Sequence, residues 1–277
     1  MPSHPDHPLK AYKNRDFLNS RDARALRILS EYLEPLSRFR QHHVEDTIVF
    51  FGSARIIESQ AAKEAVRAAR LALKGAARPT KAQRAALVEA ESRAALSRYY
   101  DEATDLARRL TEWSKALKGN RHRFLVCSGG GPGIMEAANR GAAEARGRTV
   151  GLGISLPFEQ SGNQYISREL AFEFHYFFMR KFWFFYLAKA MVIFPGGFGT
   201  LDEAMEILTL IQTRKSSKQI PILFYGKPYW DEVLDLKAMA RWGTISASDL
   251  GLVRFSDSPD DAFTYLRDTL TELYGAS

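Results

Sequence analysis

Several residue types and patterns are scarce in this chain, and each absence excludes a kind of protein or site. The 277 residues include one cysteine, Cys127, which excludes an intrachain disulfide and is interpreted as a small core residue rather than a nucleophile. No apolar run is long enough to span a membrane, since Arg180 and Lys181 interrupt even the most aromatic stretch. The polar N-terminus lacks the apolar segment of a signal peptide, and the histidines lack the neighbours of a metal-ligand set. We therefore expect a cytoplasmic enzyme with no metal, no cofactor and no membrane partner.

What is present predicts one main α/β domain. The hydrophobic content of 45% is ordinary for a globular protein, and strand and helix patterns alternate continuously after Thr47. Residues 1–45 are expected to form a partly helical N-terminal extension, in which Pro35 weakens the later half of a helix over Arg21 to Arg40. Residues 46–277 are expected to form a Rossmann-like, doubly wound catalytic domain. Its sheet is mainly parallel, with helices on both faces.

The segment Pro195 to Glu203 carries the strongest functional signal. It follows a short apolar run, Ala190 to Phe194, and opens an amphipathic helix that continues to about Thr213. Glycines between a strand and a helix expose backbone N–H groups beside the positive end of the helix dipole, which is typical of a phosphate site. A purely structural alternative stays open, because Thr200-x-x-Glu203 also matches a capping box.

Two further strand ends favour a site over a simple turn. Phe124 to Cys127 is a predicted buried strand that runs into Ser128-Gly-Gly-Gly-Pro-Gly133, and a helix follows. Ile134 stands where the last glycine of the dinucleotide motif G-x-G-x-x-G would be, so this is not that motif. The loop Gly52 to Arg55 follows a third strand, Thr47 to Phe51. We expect the three loops to converge at the carboxyl ends of the strands, where such sheets bind ligands.

These segments resemble the LONELY GUY (LOG) family, whose members are often described as lysine decarboxylases. The resemblance rests on Ser128 to Ala143, on Met179-Arg180-Lys181, and on the motif P-G-G-x-G-T-x-x-E at Pro195, Gly196, Gly197, Gly199, Thr200 and Glu203. It covers the chain from about Thr47 onward, apart from one insertion. It implies a phosphoribohydrolase that cuts the N-glycosidic bond of a nucleoside 5′-monophosphate. The usual substrates of the family are cytokinin riboside monophosphates and AMP, and the products are a free base and ribose 5-phosphate.

The resemblance also implies roles for individual residues. Glu203 is expected to stabilise the oxocarbenium-like ribosyl centre or to activate water, and its place at a helix N-terminus favours the ionised carboxylate. Arg180 would hold the ribose or phosphate as a bidentate donor. The remaining candidates are expected to bind substrate: the phosphate loop Gly196, Gly197, Gly199 and Thr200, the loops Gly130, Gly131, Ser53 and Arg55, the charge of Lys181, and Met179 against the base. The polar loop 157–164 is a candidate to close over the base.

The aromatic run Phe172 to Tyr186 predicts a contact between subunits. Its aromatic residues are too dense for one amphipathic stripe, so the helix must be covered on more than one side. We expect a homodimer or a higher homo-oligomer.

The segment from about 56 to 120 is an insertion relative to a compact family member. It is predicted to contain two or three helices with a break near Gly75 to Pro79, and residues 55–123 hold 16 Lys and Arg against 8 Asp and Glu. A polyanion-binding face and a solvated helical hairpin with locally paired arginines both fit this charge. The hairpin is favoured and nucleic-acid binding is not expected, because no nucleic-acid module is recognisable and aromatic residues are scarce before Tyr99.

Two other functions remain possible on the same sequence. A non-catalytic nucleotide sensor or carrier would keep the phosphate loops but would not need Arg180 and Glu203. A true amino-acid decarboxylase would need a lysine that forms a Schiff base with pyridoxal phosphate, and only Lys181 and Lys189 lie near the region.

Overall fold

A computed structural model describes residues 8–76, 78–119, 122–155 and 162–275. It contains a sheet of seven strands: β1 Thr47–Phe51, β2 Leu125–Ser128, β3 Thr149–Ile154, β4 Ala171–Phe174, β5 Ala188–Ile193, β6 Ile222–Tyr225 and β7 Val253–Ser256. The helices are α1 Arg15–Asn19, α2 Arg24–Gln41, α3 Ser59–Lys74, α4 Lys81–Leu96, α5 Arg98–Ala116, α6 Ile134–Glu144, α7 Phe177–Tyr186, α8 Phe198–Gln212, α9 Lys227–Val233, α10 Leu236–Arg241 and α11 Pro259–Tyr274. Short 3₁₀ helices cover Ala11–Lys13, Arg168–Leu170 and Ala247–Leu252. No helix of the described ranges is both long and apolar enough to cross a membrane.

The sheet is parallel throughout, in the order β4-β3-β2-β1-β5-β6-β7. Alternate residues of β1 serve opposite faces, since Ile48 and Phe50 join one buried cluster while Val49 and Phe51 join the other. Helices therefore cover both faces, and the predicted doubly wound α/β fold is confirmed. The chain reverses its direction of growth between β1 and β5, which is where sheets of this kind bind ligands.

The N-terminal helix α2 continues through Pro35, contrary to the prediction that this proline weakens it. Proline has no N–H, so the carbonyl of Glu31, one turn earlier, loses its usual helical partner. That carbonyl instead accepts a hydrogen bond from Nε1 of Trp183 on α7, at 2.8 Å. The contact between the two helices thus offsets part of the cost of an internal proline.

The predicted insertion forms three helices, α3, α4 and α5. Helix α5 is the crossover between β1 and β2, and it buries a wide apolar face that includes Leu106 and Leu110. By contrast, α3 buries only Ala62 and α4 buries only Ala90. The hairpin of α3 and α4 therefore adds little to the core.

Several arginines of this segment pair locally, as the hairpin interpretation expects. Arg70 contacts Glu91 and Arg93 contacts Glu89 within the hairpin. On α5, three arginines likewise bind carboxylates, at Arg98, Arg108 and Arg109.

Candidate functional site

Backbone hydrogen bonds join the three loops that follow β1, β2 and β5. The amide of Ile134 donates to the carbonyl of Ser53 at 3.1 Å, and the amide of Ser53 donates to the carbonyl of Pro195 at 2.9 Å. Gly133 makes the first contact possible, since a Cβ there would lie 2.3 Å from the Ser53 oxygen and its φ of +71° disfavours other residues. The predicted convergence of the loops is therefore present.

Helix α8 begins earlier than a capping box at Thr200 and Glu203 would require. Its N-cap is Gly197 and no side chain caps it, so Thr200 lies within the first turn and Glu203 within the second. A Cβ on Gly196 would lie 2.1 Å from Oγ1 of Thr200, which shows how closely the loop packs on the helix. The structural alternative for Glu203 is not realised.

A buried network of polar side chains supports the glycine loop after β2. The side-chain amide of Asn163 donates to the carbonyls of Gly130 and Gly131, both at 3.1 Å, and to Oδ1 of Asn139 at 2.9 Å. Asn139 in turn accepts from the hydroxyl of Ser128 at 2.7 Å, and that hydroxyl accepts from the amide of Gly130. These side chains thus hold the backbone of Gly130 and Gly131 in place. Of the proposed lid 157–164, residues 157–161 lie outside the described residues.

A cleft of about 300 Å³ lies between the three loops and α7. It brings together seven of the residues predicted from the sequence: Ser53, Arg55, Arg180, Gly197, Gly199, Thr200 and Glu203. Since α8 starts at the floor of this cleft, its unpaired N–H groups and the positive end of its dipole are available to an anion.

Arg180 and Glu203 form the charged centre of the cleft. Nη2 of Arg180 lies 3.8 Å from Oε1 of Glu203, and Nζ of Lys181 lies 3.7 Å from Oε2. The side chains of Arg180 and Glu203 are only 15% and 7% exposed. The Arg180 guanidinium also lies near the rings of Phe177 and Phe184, 5.0 and 5.5 Å from their centroids.

Arg180 has an unused hydrogen-bond donor. Its Nε is buried and has no hydrogen-bond partner among the described residues. A buried donor without a partner costs free energy, and unsatisfied groups of this kind are often found at functional sites.

Burial dominates the ionisation of this pair. It raises the pKa of Glu203 above the usual 4.5, although the charges of Lys181 and Arg180 oppose the shift. Burial also lowers the pKa of Arg180, against the charge of Glu203. Desolvation therefore opposes the effect that the helix N-terminus is expected to have on this carboxylate.

Five predicted binding residues do not line the cleft. The loop positions Gly130, Gly131 and Gly196 are not among the lining residues, and the Gly196 carbonyl accepts a hydrogen bond from the hydroxyl of Tyr229. Met179 is buried in the core rather than placed against a base. Lys181 contacts Asp202 at 2.8 Å and Glu206 at 2.7 Å, so its charge is largely balanced.

The cleft also contains residues that the sequence analysis did not select. Gly129 and Met135 line it from the second loop, Phe184 lines it from α7, and Phe198 stands at its rim with 92% of its surface exposed. The helical spacing of four between Arg180 and Phe184 was a usable signal, since it places both on one face. Phe198 occupies the variable position of the P-G-G-x-G-T motif, so the motif itself could not identify it.

Other kinds of site find little support in the described parts of the chain. No group of three or more His, Cys, Asp or Glu is arranged to hold a metal ion there. The thiol of Cys127 is buried, which raises its pKa and makes it unsuitable as a nucleophile.

A family model described as "Possible lysine decarboxylase" matches residues 135–266. The match includes Arg180 and Glu203, and leaves out Ser53, Arg55 and the α3–α4 hairpin. No curated protein matches the chain.

Two solved structures are similar to this chain. The structural-genomics target TM1055 is 20% identical, with a TM-score of 0.44, over 80% of this chain and 99% of its own. The Moco carrier protein from Chlamydomonas reinhardtii is 19% identical, with a TM-score of 0.42, over 64% of this chain and 90% of its own. Over residues 135–266, this Rossmann-like chain is thus similar to the proteins described as possible lysine decarboxylases, the description often given to LOG proteins.

Proposed function

We propose that this chain hydrolyses the N-glycosidic bond of a purine nucleoside 5′-monophosphate, giving a free base and ribose 5-phosphate. The observation that carries the proposal is the placement of an uncapped helix N-terminus and the Arg180–Glu203 pair in one cleft. An anion site beside a buried carboxylate suits a substrate whose phosphate anchors it while its ribosyl carbon reacts.

The 5′-phosphate would bind at the start of α8. Gly197 and Gly199 offer backbone N–H groups without side chains in the way, and Thr200 adds a hydroxyl. Arg180 would donate to the ribose hydroxyls or to the phosphate through its terminal nitrogen atoms, since Nη2 lies 3.8 Å from Glu203, too far for a hydrogen bond. Because these donors are already fixed by packing, little ordering is needed on binding.

Glu203 would act on the ribosyl centre. The bond from C1′ to the base nitrogen breaks, its electron pair goes to the base, and positive charge develops at C1′. The ionised carboxylate stabilises that charge and accepts a proton from the attacking water, whose oxygen bonds to C1′. The proton that Glu203 took from water then passes to the departing base, which restores the carboxylate and balances the atoms and charges. Because its pKa is raised, the ionised Glu203 is a better proton acceptor than an ordinary glutamate.

The positions of the two candidate lysines give little support to the decarboxylase alternative. Neither Lys181 nor Lys189 is among the residues that line the cleft. A Schiff-base lysine must lose its proton. Burial favours that loss at Lys181, but Asp202 and Glu206 outweigh it and raise the pKa. These residues do not fit pyridoxal phosphate.

The test measures release of free base from AMP and from isopentenyladenosine 5′-monophosphate. We expect Glu203→Gln to lower kcat about 100-fold or more. Glu206→Gln is the matched control, because it removes a neighbouring carboxylate that also contacts Lys181 but does not line the cleft. Preference between the two nucleotides decides between a cytokinin-type and a general AMP substrate. Tight AMP binding with no turnover by the wild type would favour the sensor or carrier instead.

We also propose that the protein is a homodimer joined through the aromatic helix. Phe177 and Phe178 on α7 are each 50% exposed, and Leu29 and Leu33 on the adjoining α2 are each 49% exposed. An apolar surface of this kind on two neighbouring helices supports self-association.

A further inference from the structure

A second groove adjoins the cleft, with a volume of about 570 Å³. Ser53 and Arg55 line both cavities, so the two spaces meet at the loop after β1. The opposite wall is one face of α4, formed by Glu89, Ser92, Arg93 and Leu96. Their spacing of three, four and seven residues places them on one side of the helix.

The groove has a surplus of positive charge. Arg93 is paired with Glu89 at 2.5 Å, whereas the Arg55 side chain has no ion pair or hydrogen bond to any residue in the described ranges. Arg55 is thus a free guanidinium where the groove meets the cleft. By contrast, Arg70 and Arg98 of the insertion both bind carboxylates. Guanidinium groups bind phosphate and carboxylate in planar, paired hydrogen bonds.

The α3–α4 hairpin contributes little to the core of the protein. Ala62 and Ala90 are the only buried residues of α3 and α4, and the crossover between β1 and β2 is completed by α5. The hairpin also lies outside the segment that matches the family model. Packing in the core therefore does not explain the face of α4 that lines the groove.

We propose that this groove is a second anion subsite, in which Arg55 and Arg93 bind a phosphate or carboxylate carried by the nucleotide in addition to its 5′-phosphate. The substrate class is then a purine nucleoside 5′-monophosphate with a second anionic group. This inference rests on the proposed hydrolase function for its catalytic consequence. The same bond to C1′ is broken, and the extra group leaves with whichever product carries it.

The experiment compares AMP with ADP and with adenosine 3′,5′-bisphosphate, which extend the nucleotide from two different positions. Both kcat/KM and the Kd from calorimetry are measured, so that the comparison does not depend on turnover. We expect one of the doubly anionic nucleotides to bind more tightly than AMP, and Arg93→Ala to reduce that preference about fivefold, as for one partly exposed ion pair. Arg84→Ala is the matched control, since Arg84 lies nine residues earlier on α4 and faces away from the groove.

Equal Kd values for AMP and both larger nucleotides would overturn the subsite. So would an Arg93→Ala variant in which the affinities for AMP and the preferred nucleotide fall by the same factor. Either result leaves AMP hydrolysis untouched, whereas failure of the proposed function appears as absence of base release from every nucleotide.

Discussion

Glu203 is an acidic side chain held where its charge is costly. It lies buried in α8, and its nearest cations, Arg180 and Lys181, are 3.7–3.8 Å away rather than in direct hydrogen bonds. Such spacing leaves room for a substrate or water to hydrogen-bond between the charges. Burying the Glu203 carboxylate lowers the stability of the fold, and such costs are typical of functional sites.

The raised pKa of Glu203 predicts an acid limb in the activity profile. The reaction needs the ionised carboxylate, so kcat/KM should fall tenfold per pH unit below the pKa of the free enzyme. That midpoint should lie above the usual glutamate value of 4.5, because burial favours the protonated form. The check is a pH profile of AMP hydrolysis, with circular dichroism recorded at each pH. A folded enzyme with constant kcat/KM down to pH 4.5 would contradict it.

Arg180 should not tolerate replacement by lysine. Arg180→Lys keeps the charge but loses the planar donor set, including the buried Nε that has no protein partner. We expect kcat/KM for AMP to fall about 10- to 100-fold, the effect of one or two hydrogen bonds to a charged group. Arg84→Lys on α4 serves as the control. Equal activity of the two variants would exclude Arg180 from substrate binding.

At the scale of residues, the sequence predicted the members of the site better than their conformations. Ser53, Arg55, Arg180 and Glu203 were selected from the motif and the loop positions, and all four line one cleft. The pattern Thr200-x-x-Glu203 also matched a capping box, yet α8 begins at Phe198, and Gly196 leaves the space in which Thr200 packs against the loop. Local sequence cannot decide between these starts, since the decision depends on how Thr200 packs against the loop.

At the scale of elements, the N-terminal helix α2 holds the helix that carries Arg180. The Glu31 carboxylate accepts hydrogen bonds from the amides of His175 at 2.8 Å and Tyr176 at 3.2 Å. Tyr176 is the N-cap of α7, so a residue 145 positions away satisfies one of the free N–H groups at the start of this helix. The negative charge also complements the helix dipole there.

Glu31 is therefore a positioning residue for Arg180. Glu31→Ala should cost about 1 kcal/mol, as for loss of an N-cap, and lower the Tm by about 2–3 °C. It should also lower kcat/KM for AMP, while Glu31→Gln, which keeps one acceptor oxygen, should restore part of both. Thermal melts and base-release assays check this beside Glu34→Ala, which removes only an exposed pair with Arg38. A Glu31→Ala variant with lower Tm and unchanged kcat/KM would limit Glu31 to a stabilising role.

Most elements followed from periodicity and glycine positions, and the exceptions have physical causes. Strand β4 was not separated from the aromatic run, although Phe172 and Phe174 alternate with exposed neighbours in the pattern of a half-buried strand. Helices α9 and α10 are separate because Leu234 is extended and Asp235 caps the second. The persistence of α2 through Pro35 depends on Trp183, a partner that no local pattern contains.

At the scale of the whole molecule, the aromatic helix α7 packs against the sheet and against α2, and part of it stays exposed among the described residues. Tyr32 and Phe39 of α2 pack against Trp183, whereas Phe177 and Phe178 remain half exposed. The sequence predicted that the helix needs cover on more than one side, but could not predict that α2 supplies part of it. The remaining surface is the one that we assign to a second copy.

Self-association should therefore depend on this surface. We expect the wild type to sediment as a dimer and a Leu33→Ser, Phe178→Ser variant to sediment as a monomer, because both changes make the exposed apolar surface polar. Leu71→Ser on α3 is the control, since Leu71 is also exposed but lies on the hairpin. Analytical ultracentrifugation over a range of concentrations measures the outcome. A double variant that dimerises as strongly as the control would place the interface elsewhere.

The central claim is that the cleft hydrolyses a nucleoside monophosphate at C1′, and the most direct measurement follows both products of AMP in water enriched in ¹⁸O. We expect equal amounts of adenine and ribose 5-phosphate, with the label on C1′ of the sugar, and loss of both products in Glu203→Gln. Adenine release that persists in Glu203→Gln, or adenosine and labelled phosphate as the products, would contradict it.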